Sequence, residues 1–140
     1  MRRMRIPGER VRVVPHGVDP ERFCPAGPVA ARGAARCLLV QPGWLAPGEG
    51  AAVAVTALTR LPDAEPVIVG GPPPELLDAD PEVLRLRDVA RPARVADRVR
   101  LTGAVAHDEV PPLLRAADVV VCPGEREPFG AVALEAMVCG

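Results

Sequence analysis

The chain has 140 residues and a formal net charge of −1, so it is long enough for one domain and presents no strong field to nucleic acid or an anionic membrane. Hydrophobic residues make up 49% of it but aromatic residues only 2%, which predicts a core of Val, Leu and Ala and argues against base stacking. The chain contains no Ser, Lys, Tyr or Asn, which excludes serine nucleophiles, Schiff-base lysines and the P-loop lysine.

Membrane, secretion and metal signals are all absent from the sequence. No apolar run approaches the roughly 20 residues that a membrane span needs, and no apolar segment follows the basic N-terminus as it would in a secretory signal. We therefore predict a cytoplasmic protein with no transmembrane segment and no nucleic-acid partner. The four cysteines show no C-x-x-C spacing and form no metal pattern with His16 and His107; we expect no metal, and buried, reduced thiols at Cys24, Cys37, Cys122 and Cys139.

Residues 1–35 are predicted to form an inter-domain linker and a short initial strand. Five arginines lie among the first twelve residues, a pattern that fits a solvated linker, which we favour, or a basic arm for an anionic partner. Val11, Val13 and Val14 predict the strand, which ends in the Pro-His-Gly-Val-Asp turn of residues 15–19. A connector rich in Pro, Gly and Ala follows.

Residues 36–140 alternate short apolar runs with helical patterns. Helices are predicted at residues 49–61, 74–90 with a break at 80–81, 107–116 and after 130, and strands at 37–41, 65–70, 98–102 and 119–122. This alternation predicts βαβ units with right-handed crossovers, and so an α/β fold with a doubly wound, Rossmann-like parallel sheet. Ligands bind such sheets beyond the carboxyl ends of the strands, where four Gly- and Pro-rich loops are expected to form a cleft.

The last fourteen residues, EPFGAVALEAMVCG, carry the strongest functional signal. They place an acidic loop and a glycine between a strand and an apolar helix. The free N–H groups and positive dipole at such a helix start suit a phosphate or a sugar oxygen. Glu127 can accept hydrogen bonds from sugar hydroxyls, and Glu135 can accept them from a ribose diol. The plainer alternative is an exposed loop acid and a glutamate on the helix surface.

This stretch resembles the E-x7-E signature at the donor site of retaining GT-B glycosyltransferases of the family 4, or glycosyl transferases group 1, type. That family commonly reads E-P-F-G-x-x-x-L-E-A-M-A-C-G here. Residues 15–25 are similar to its P-N-G-V-D-x-x-R-F-x-P loop, with His16 where Asn is usual. The resemblance extends over residues 11–140. It implies a C-terminal donor-binding domain with strand order 3-2-1-4, truncated after the last helix and lacking the acceptor-binding domain that precedes it in the family.

The resemblance also implies an activity and its residues. Such enzymes transfer a sugar, with retention, from a UDP-, GDP- or ADP-sugar donor to an acceptor that the resemblance does not specify, and they use no metal or other cofactor. Glu127 takes the catalytic position and holds donor-sugar hydroxyls. The other implied donor-binding residues are Gly43 in the diphosphate loop, Thr102 and Gly103 beside the base, the backbone N–H groups of Phe129, Gly130 and Ala131, and Glu135 at the ribose.

One loop departs from the family pattern. Family members read G-R-L-x-x-x-K-G after the first strand, whereas residues 43–50 read GWLAPGEG. Trp44 replaces the Arg and Glu49 the Lys that grip the donor diphosphate, and one lost donor in a transition state costs about 3–4 kcal/mol. Arg36 and Arg60 are candidate replacements, although the sequence does not place them near this loop.

Two alternatives to a working transferase follow from these departures and from the architecture. The first is an inactive fragment or a degenerate nucleotide-sugar-binding remnant, and we expect the isolated chain to show no turnover. The second is a sugar-nucleotide epimerase, which shares this architecture but is disfavoured by the E-x7-E context.

Overall fold

The computed structural model describes residues 10–33, 36–124 and 130–140. Their strands form one parallel sheet in the order β3-β2-β1-β4, which confirms the predicted order. Each strand pairs in register with its neighbour, as Val40 of the first strand does with Val67 of the second. The strands are β1 (Cys37–Pro42), β2 (Ala64–Val69), β3 (Arg100–Leu101) and β4 (Val119–Val120).

Helices cover both faces of the sheet. Short 3-10 segments precede or follow several of them, at Leu58–Arg60, Pro74–Ala79, Ala96–Arg98 and His107–Glu109. The α-helices are α1 (Ala51–Ala57), α2 (Pro81–Ala90), α3 (Val110–Ala116) and α4 (Ala131–Cys139). The chain is therefore a three-layer α/β domain of the doubly wound, Rossmann-like class that the sequence predicts.

The two central strands are buried on both faces, as expected for a parallel sheet. Successive side chains of a strand point to opposite faces, so Leu39 and Ile68 pack against α1 and α2. Leu38, Val40 and Val67 contribute to the second core, with α3 and α4. Aliphatic side chains make up most of both cores, as the composition predicts, and Phe23 and Cys139 also belong to the second core.

The break predicted within residues 74–90 is present at Asp80. The Asp80 carboxylate accepts hydrogen bonds from the N–H groups of Glu82 and Val83, at 2.9 and 3.0 Å, and Pro81 occupies the first helical position. Both features favour a helix start. Residues 74–79 consequently form a separate 3-10 turn instead of a continuous α-helix.

The segment before β1 packs onto the second core. Phe23 is only 2% exposed, and the Ala30 N–H donates to the Pro112 carbonyl at 2.9 Å. Arg115 donates to the carbonyls of Cys24 and Pro28 at 3.0 and 2.7 Å. Residues 18–30 thus contribute to the domain, while the boundary predicted at residue 35 stays a prediction.

Several local predictions are wrong. Residues 11–19 contain no strand. Val13 and Val14 are 88% and 85% exposed, and without a neighbouring strand the three valines do not form a strand. β3 and β4 are two residues long instead of five and four, and each pairs with a single neighbour. Only one cysteine is buried, Cys139, and the other three thiols are half-buried.

Candidate functional site

A cavity of about 580 Å³ opens at the carboxyl edge of the sheet, where ligands bind in this fold class. Its walls come from four separate parts of the chain, which the order of the strands brings together. They are the loop after β1 (Pro42, Gly43, Trp44), the end of β2 (Val69, Gly70, Gly71), the segment between β3 and α3 with the start of α3 (Ala104, Val105, His107, Val110), and α4 (Val132, Glu135).

Glycine lets two of these loops approach closely. Gly70 has φ of 123°, and a Cβ atom there would lie 2.1 Å from the Gly43 carbonyl oxygen. No L side chain fits at that distance, so Gly70 is required for the loops after β1 and β2 to meet. The Gly43 N–H also donates to the Val69 carbonyl at 3.0 Å. Gly43, a predicted donor-binding residue, therefore lies on the cavity wall.

The helix α4 begins at Gly130, as predicted. Gly130 is its N-cap in the left-handed conformation, with φ of 62°, and no side chain caps the helix. The Gly130 carbonyl accepts from the Leu134 N–H at 3.0 Å, which leaves the N–H of Ala131 without an intrahelical acceptor. Val132 and Glu135, three positions apart, share the helix face that lines the cavity.

Glu135 is half-buried on this wall. Burial raises the pKa of its carboxyl group above the ordinary 4.5, and the charges of His107 and His16 oppose that rise. His107 lines the same cavity as Glu135, and His16 belongs to the turn that resembles the family's P-N-G-V-D loop.

His107 was missed as a site residue by the sequence reasoning, which placed it only at a helix start. Its ring packs edge-to-face on Phe23, with 5.6 Å between ring centroids and an interplanar angle of 67°. Its position just after β3, at the carboxyl edge of the sheet, was the available signal. Among the described residues that line the cavity, His107 and Glu135 are the ionisable ones.

Thr102 and Gly103, both among the described residues, do not line the cavity. The Thr102 hydroxyl donates to the Gly103 carbonyl at 2.8 Å, and the Gly70 N–H bonds to the same carbonyl at 3.1 Å. Gly103 is buried, and Ala104 and Val105 are the residues that face the cavity. The predicted contact of Thr102 and Gly103 with a base stays a prediction.

Glu127 and Phe129, with the rest of residues 125–129, lie outside the described residues. Their predicted roles at the donor sugar stay predictions.

The loop of residues 43–50 carries the departure from the family pattern. Trp44 is 81% exposed at the rim of the cavity. A Glu49 carboxylate oxygen lies 3.5 Å from where a Cβ of Gly124 would be, so this acid packs against the loop after β4. A Cβ on Gly50, whose φ is 86°, would come within 2.5 Å of Pro123. The loops after β1 and β4 are therefore in direct contact.

Arg36 and Arg60 lie away from the cavity. Arg36 directly precedes β1, and Arg60 ends the 3-10 turn that leads from α1 toward β2. Both therefore sit at the amino edge of the sheet, about 20 Å from the cavity along a six-residue strand. Neither arginine replaces the cations missing from the loop of residues 43–50.

Within residues 10–33, 36–124 and 130–140, no three His, Cys, Asp or Glu side chains are placed together to hold a metal ion. No helix in these ranges combines the length and apolar character needed to cross a bilayer.

Together, the parallel sheet and the cleft at its carboxyl edge define a Rossmann-like ligand-binding domain. The family model described as Glycosyl transferases group 1 matches residues 35–140, and the chain belongs to that glycosyltransferase family. The D-inositol 3-phosphate glycosyltransferase of Mycobacteroides abscessus is 35% identical over 136 residues, which cover 94% of this chain and 30% of the relative. The chain thus spans about 30% of the length of the curated relatives that it matches.

Solved structures show the same fold. Sucrose-phosphate synthase from Thermosynechococcus elongatus matches with a TM-score of 0.76 and 29% identity, over 92% of this chain and 33% of that chain. Anabaena Alr3699/HepE in complex with UDP-glucose matches with a TM-score of 0.70 and 25% identity, over 88% of this chain and 35% of that chain. These likenesses favour a glycosyltransferase over the epimerase alternative.

Proposed function

We propose that this chain is the donor-binding part of a retaining glycosyltransferase that uses a nucleotide sugar. The observation that carries the proposal is the half-buried Glu135 on the cavity wall, one turn beyond the start of α4, where the first N–H groups have no intrahelical acceptor. A carboxylate and a helix N-terminus, side by side, suit a molecule that carries both a diol and a phosphate. The family membership and the UDP-glucose complex of the similar Anabaena protein support it.

Each group has a proposed role. The Glu135 carboxylate accepts hydrogen bonds from the ribose hydroxyls, and the N–H groups at Gly130 and Ala131 bind a phosphate or sugar oxygen. Glu127 holds the hydroxyls of the transferred sugar, with the Phe129 N–H beside it. Retention is proposed to rely on the donor's own phosphate as the base, and no metal or other cofactor takes part. Thr102 and Gly103 support the loop next to the base.

The acceptor is proposed to bind outside this chain. A chain that spans about 30% of its curated relatives supplies one wall of the cleft, and in the family an acceptor-binding domain forms the other. We therefore expect the isolated chain to bind donor without turning it over.

A second candidate is a non-catalytic remnant that binds nucleotide sugars weakly. The loop of residues 43–50 favours it, because Trp44 and Glu49 stand where the family has cations. The described cavity lining contains no Arg, so less charge is available to stabilise a leaving diphosphate. A protein that carries both domains separates the candidates: transfer from any sugar nucleotide excludes the remnant.

Calorimetry of the chain with UDP-glucose, GDP-mannose, ADP-glucose and the matching diphosphates tests donor binding. Glu135→Ala is expected to weaken every nucleotide about tenfold, since one hydrogen bond to a charged group is worth about 1.5–3 kcal/mol. Glu127→Ala is expected mainly to reduce the preference for the sugar nucleotide over the bare diphosphate. Glu75→Ala, an exposed acid in the turn before α2, is the matched control. Unchanged affinity in both site variants would refute the proposed function.

A further inference from the structure

Trp44 is the only tryptophan of the chain, and its side chain is 81% exposed. A tryptophan buries a large apolar surface when it is covered, and its ring stacks well on other flat or apolar faces. An indole left open on the wall of a 580 Å³ cavity is therefore a surface that a ligand can cover.

The backbone that carries Trp44 is fixed on both sides. The preceding Gly43 N–H donates to the Val69 carbonyl at 3.0 Å. The following Leu45 is buried, with its Cβ 3.1 Å from where a Cβ of Gly71 would lie. Further along, the Glu49 N–H donates to the Ala46 carbonyl at 3.1 Å. The indole is thus presented by an ordered loop and would lose little backbone freedom on binding a ligand.

The position of the Trp44 loop along the edge of the sheet determines which part of a nucleotide sugar Trp44 can contact. Its loop touches the loop after β4 through Gly50 and Pro123, and the chain beyond that second loop enters α4, at whose start a phosphate or sugar oxygen is proposed to bind. The loop after β3, where the base is proposed to bind, is two strands away, about 10 Å across the sheet. In the order of the strands, the loop that carries Trp44 is therefore nearer to this proposed phosphate and sugar end than to the proposed base end.

The chemistry of the wall agrees with a ring at this place. Apolar side chains surround the cavity. Of the described residues that line it, Glu135 and His107 are ionisable. Glu49 adds negative charge to the same loop and does not offer a cation to the diphosphate. A sugar ring, which has an apolar C–H face, suits an indole in these surroundings better than a phosphate group does.

We propose that Trp44 is a specificity-determining residue whose indole stacks on the ring of the donor's sugar. This inference rests on the proposed function. It predicts that the cleft gains binding affinity from contacts with the sugar, whereas the family gains it from contacts with the diphosphate. Trp44 should then discriminate the sugar nucleotide from the bare nucleoside diphosphate.

Fluorescence tests the contact directly, because the chain has one Trp and no Tyr and its emission reports Trp44. UDP-glucose, GDP-mannose and ADP-glucose are the probes, each beside its diphosphate. The sugar nucleotide that binds by calorimetry is expected to change the indole emission, and its diphosphate to change it much less. An equal change with the diphosphate alone would overturn the inference, because the indole would then meet the base or the phosphates.

Affinity measurements supply the second readout. Trp44→Ala is expected to raise the dissociation constant of the sugar nucleotide about tenfold and that of the diphosphate by less than about twofold, since loss of one stacking contact is of this order. Trp44→Phe should retain most of the affinity. Val53→Ala, which removes an exposed side chain on α1, is the control.

The outcomes separate the two claims. Calorimetric binding that Trp44→Ala leaves unchanged, or weakens equally for sugar nucleotide and diphosphate, refutes the role of Trp44 while the proposed function stands. No binding of any sugar nucleotide to the unaltered chain refutes the proposed function and this inference with it.

Discussion

The two edges of the sheet differ in how their polar groups are used. At the amino edge, the Arg98 guanidinium donates to the carbonyls of Leu58, Leu61 and Ala64. Asp118 accepts from the Arg32 guanidinium and, at 2.7 Å, from the Leu38 N–H. At the carboxyl edge, by contrast, the sequence places glycine-rich turns, an open indole and a half-buried carboxylate with a raised pKa.

The polar groups of the amino edge contribute stability, and those of the carboxyl edge are proposed to bind the ligand. Polar groups at the amino edge find partners within the chain, and such bonds hold the connections between elements in place. Glu135 at the carboxyl edge is partly desolvated, which costs free energy in the free protein. A ligand that donates hydrogen bonds to it recovers that cost, as expected of a binding site.

Removing Arg98 is expected to give the largest loss of stability. Arg98→Ala deletes the donor that joins the end of α1 to the start of β2, and the unfolding free energy should fall by about 2–3 kcal/mol. Urea unfolding measures it, and nucleotide affinity should not change under conditions where the variant is folded. Arg91→Ala, which removes only an exposed ion pair with Asp88 at 3.3 Å, should cost less than about 0.5 kcal/mol. Equal losses in the two variants would contradict the structural role of Arg98.

Restoring the family's cations tests what the carboxyl edge binds. Trp44→Arg combined with Glu49→Lys, in a protein carrying both domains, should tighten binding of the nucleoside diphosphate about tenfold or more. The preference for the sugar nucleotide over the diphosphate should shrink, because the indole is gone. Calorimetry measures both, and unchanged diphosphate affinity would mean that this loop does not reach the phosphates.

Glu135→Gln is expected to have opposite effects on binding and stability. A carboxyl whose pKa is raised by folding favours its protonated form, so its stabilising effect is full below the unfolded pKa and is lost as pH rises through the folded pKa. At pH 7 the charged group therefore costs stability, and the Glu135→Gln variant should have a slightly higher Tm. Its unfolding free energy should rise by less than about 1 kcal/mol, because solvent screens the charge. Nucleotide affinity should fall.

The pH dependence of the Tm difference between the Glu135→Gln variant and the unaltered chain tests this explanation. Thermal unfolding at pH 7 and below pH 4 should show the Tm gain at the higher pH and its loss at the lower. A gain that persists at acid pH would mean that desolvation of the carboxylate is not its cause.

Asp118→Asn should give the smallest effect, with the opposite pH dependence. Hydrogen bonds from Arg32 and from the Leu38 N–H lower the pKa of Asp118 below its ordinary 3.8. The stability that this carboxylate contributes is present above the ordinary pKa and is lost as pH falls through the lower folded value. The variant should be less stable at neutral pH and should match the unaltered chain in strong acid. Thermal unfolding across this pH range measures it, and a constant difference would show that charge is not responsible.

The sequence predicted the class of fold and the order of the strands because its signals there are periodic and local. Apolar runs such as residues 37–41, alternating with helical patterns, specify a parallel sheet. Asp80 and Pro81 specify a helix start by their own chemistry. The strand at residues 11–14 was predicted wrongly because a strand exists only with a pairing neighbour.

The site was predictable in part. Gly130 and the helix after it follow from the sequence, and Glu135 does lie on the cavity wall. His107 was missed because its place depends on packing with Phe23, which is distant along the chain. The disposition of Glu49 against Gly124 likewise depends on contact between two loops that are separated by β2 and β3.

Amide chemical shifts of the chain, followed by NMR as a sugar nucleotide is added, test the division between the two edges most directly. The account predicts shifts at residues 43–44, 69–71, 104–107 and 131–135, with residues 36–38, 63–64 and 98–100 unchanged. Shifts centred on the amino edge, or none at saturating sugar nucleotide, would contradict it.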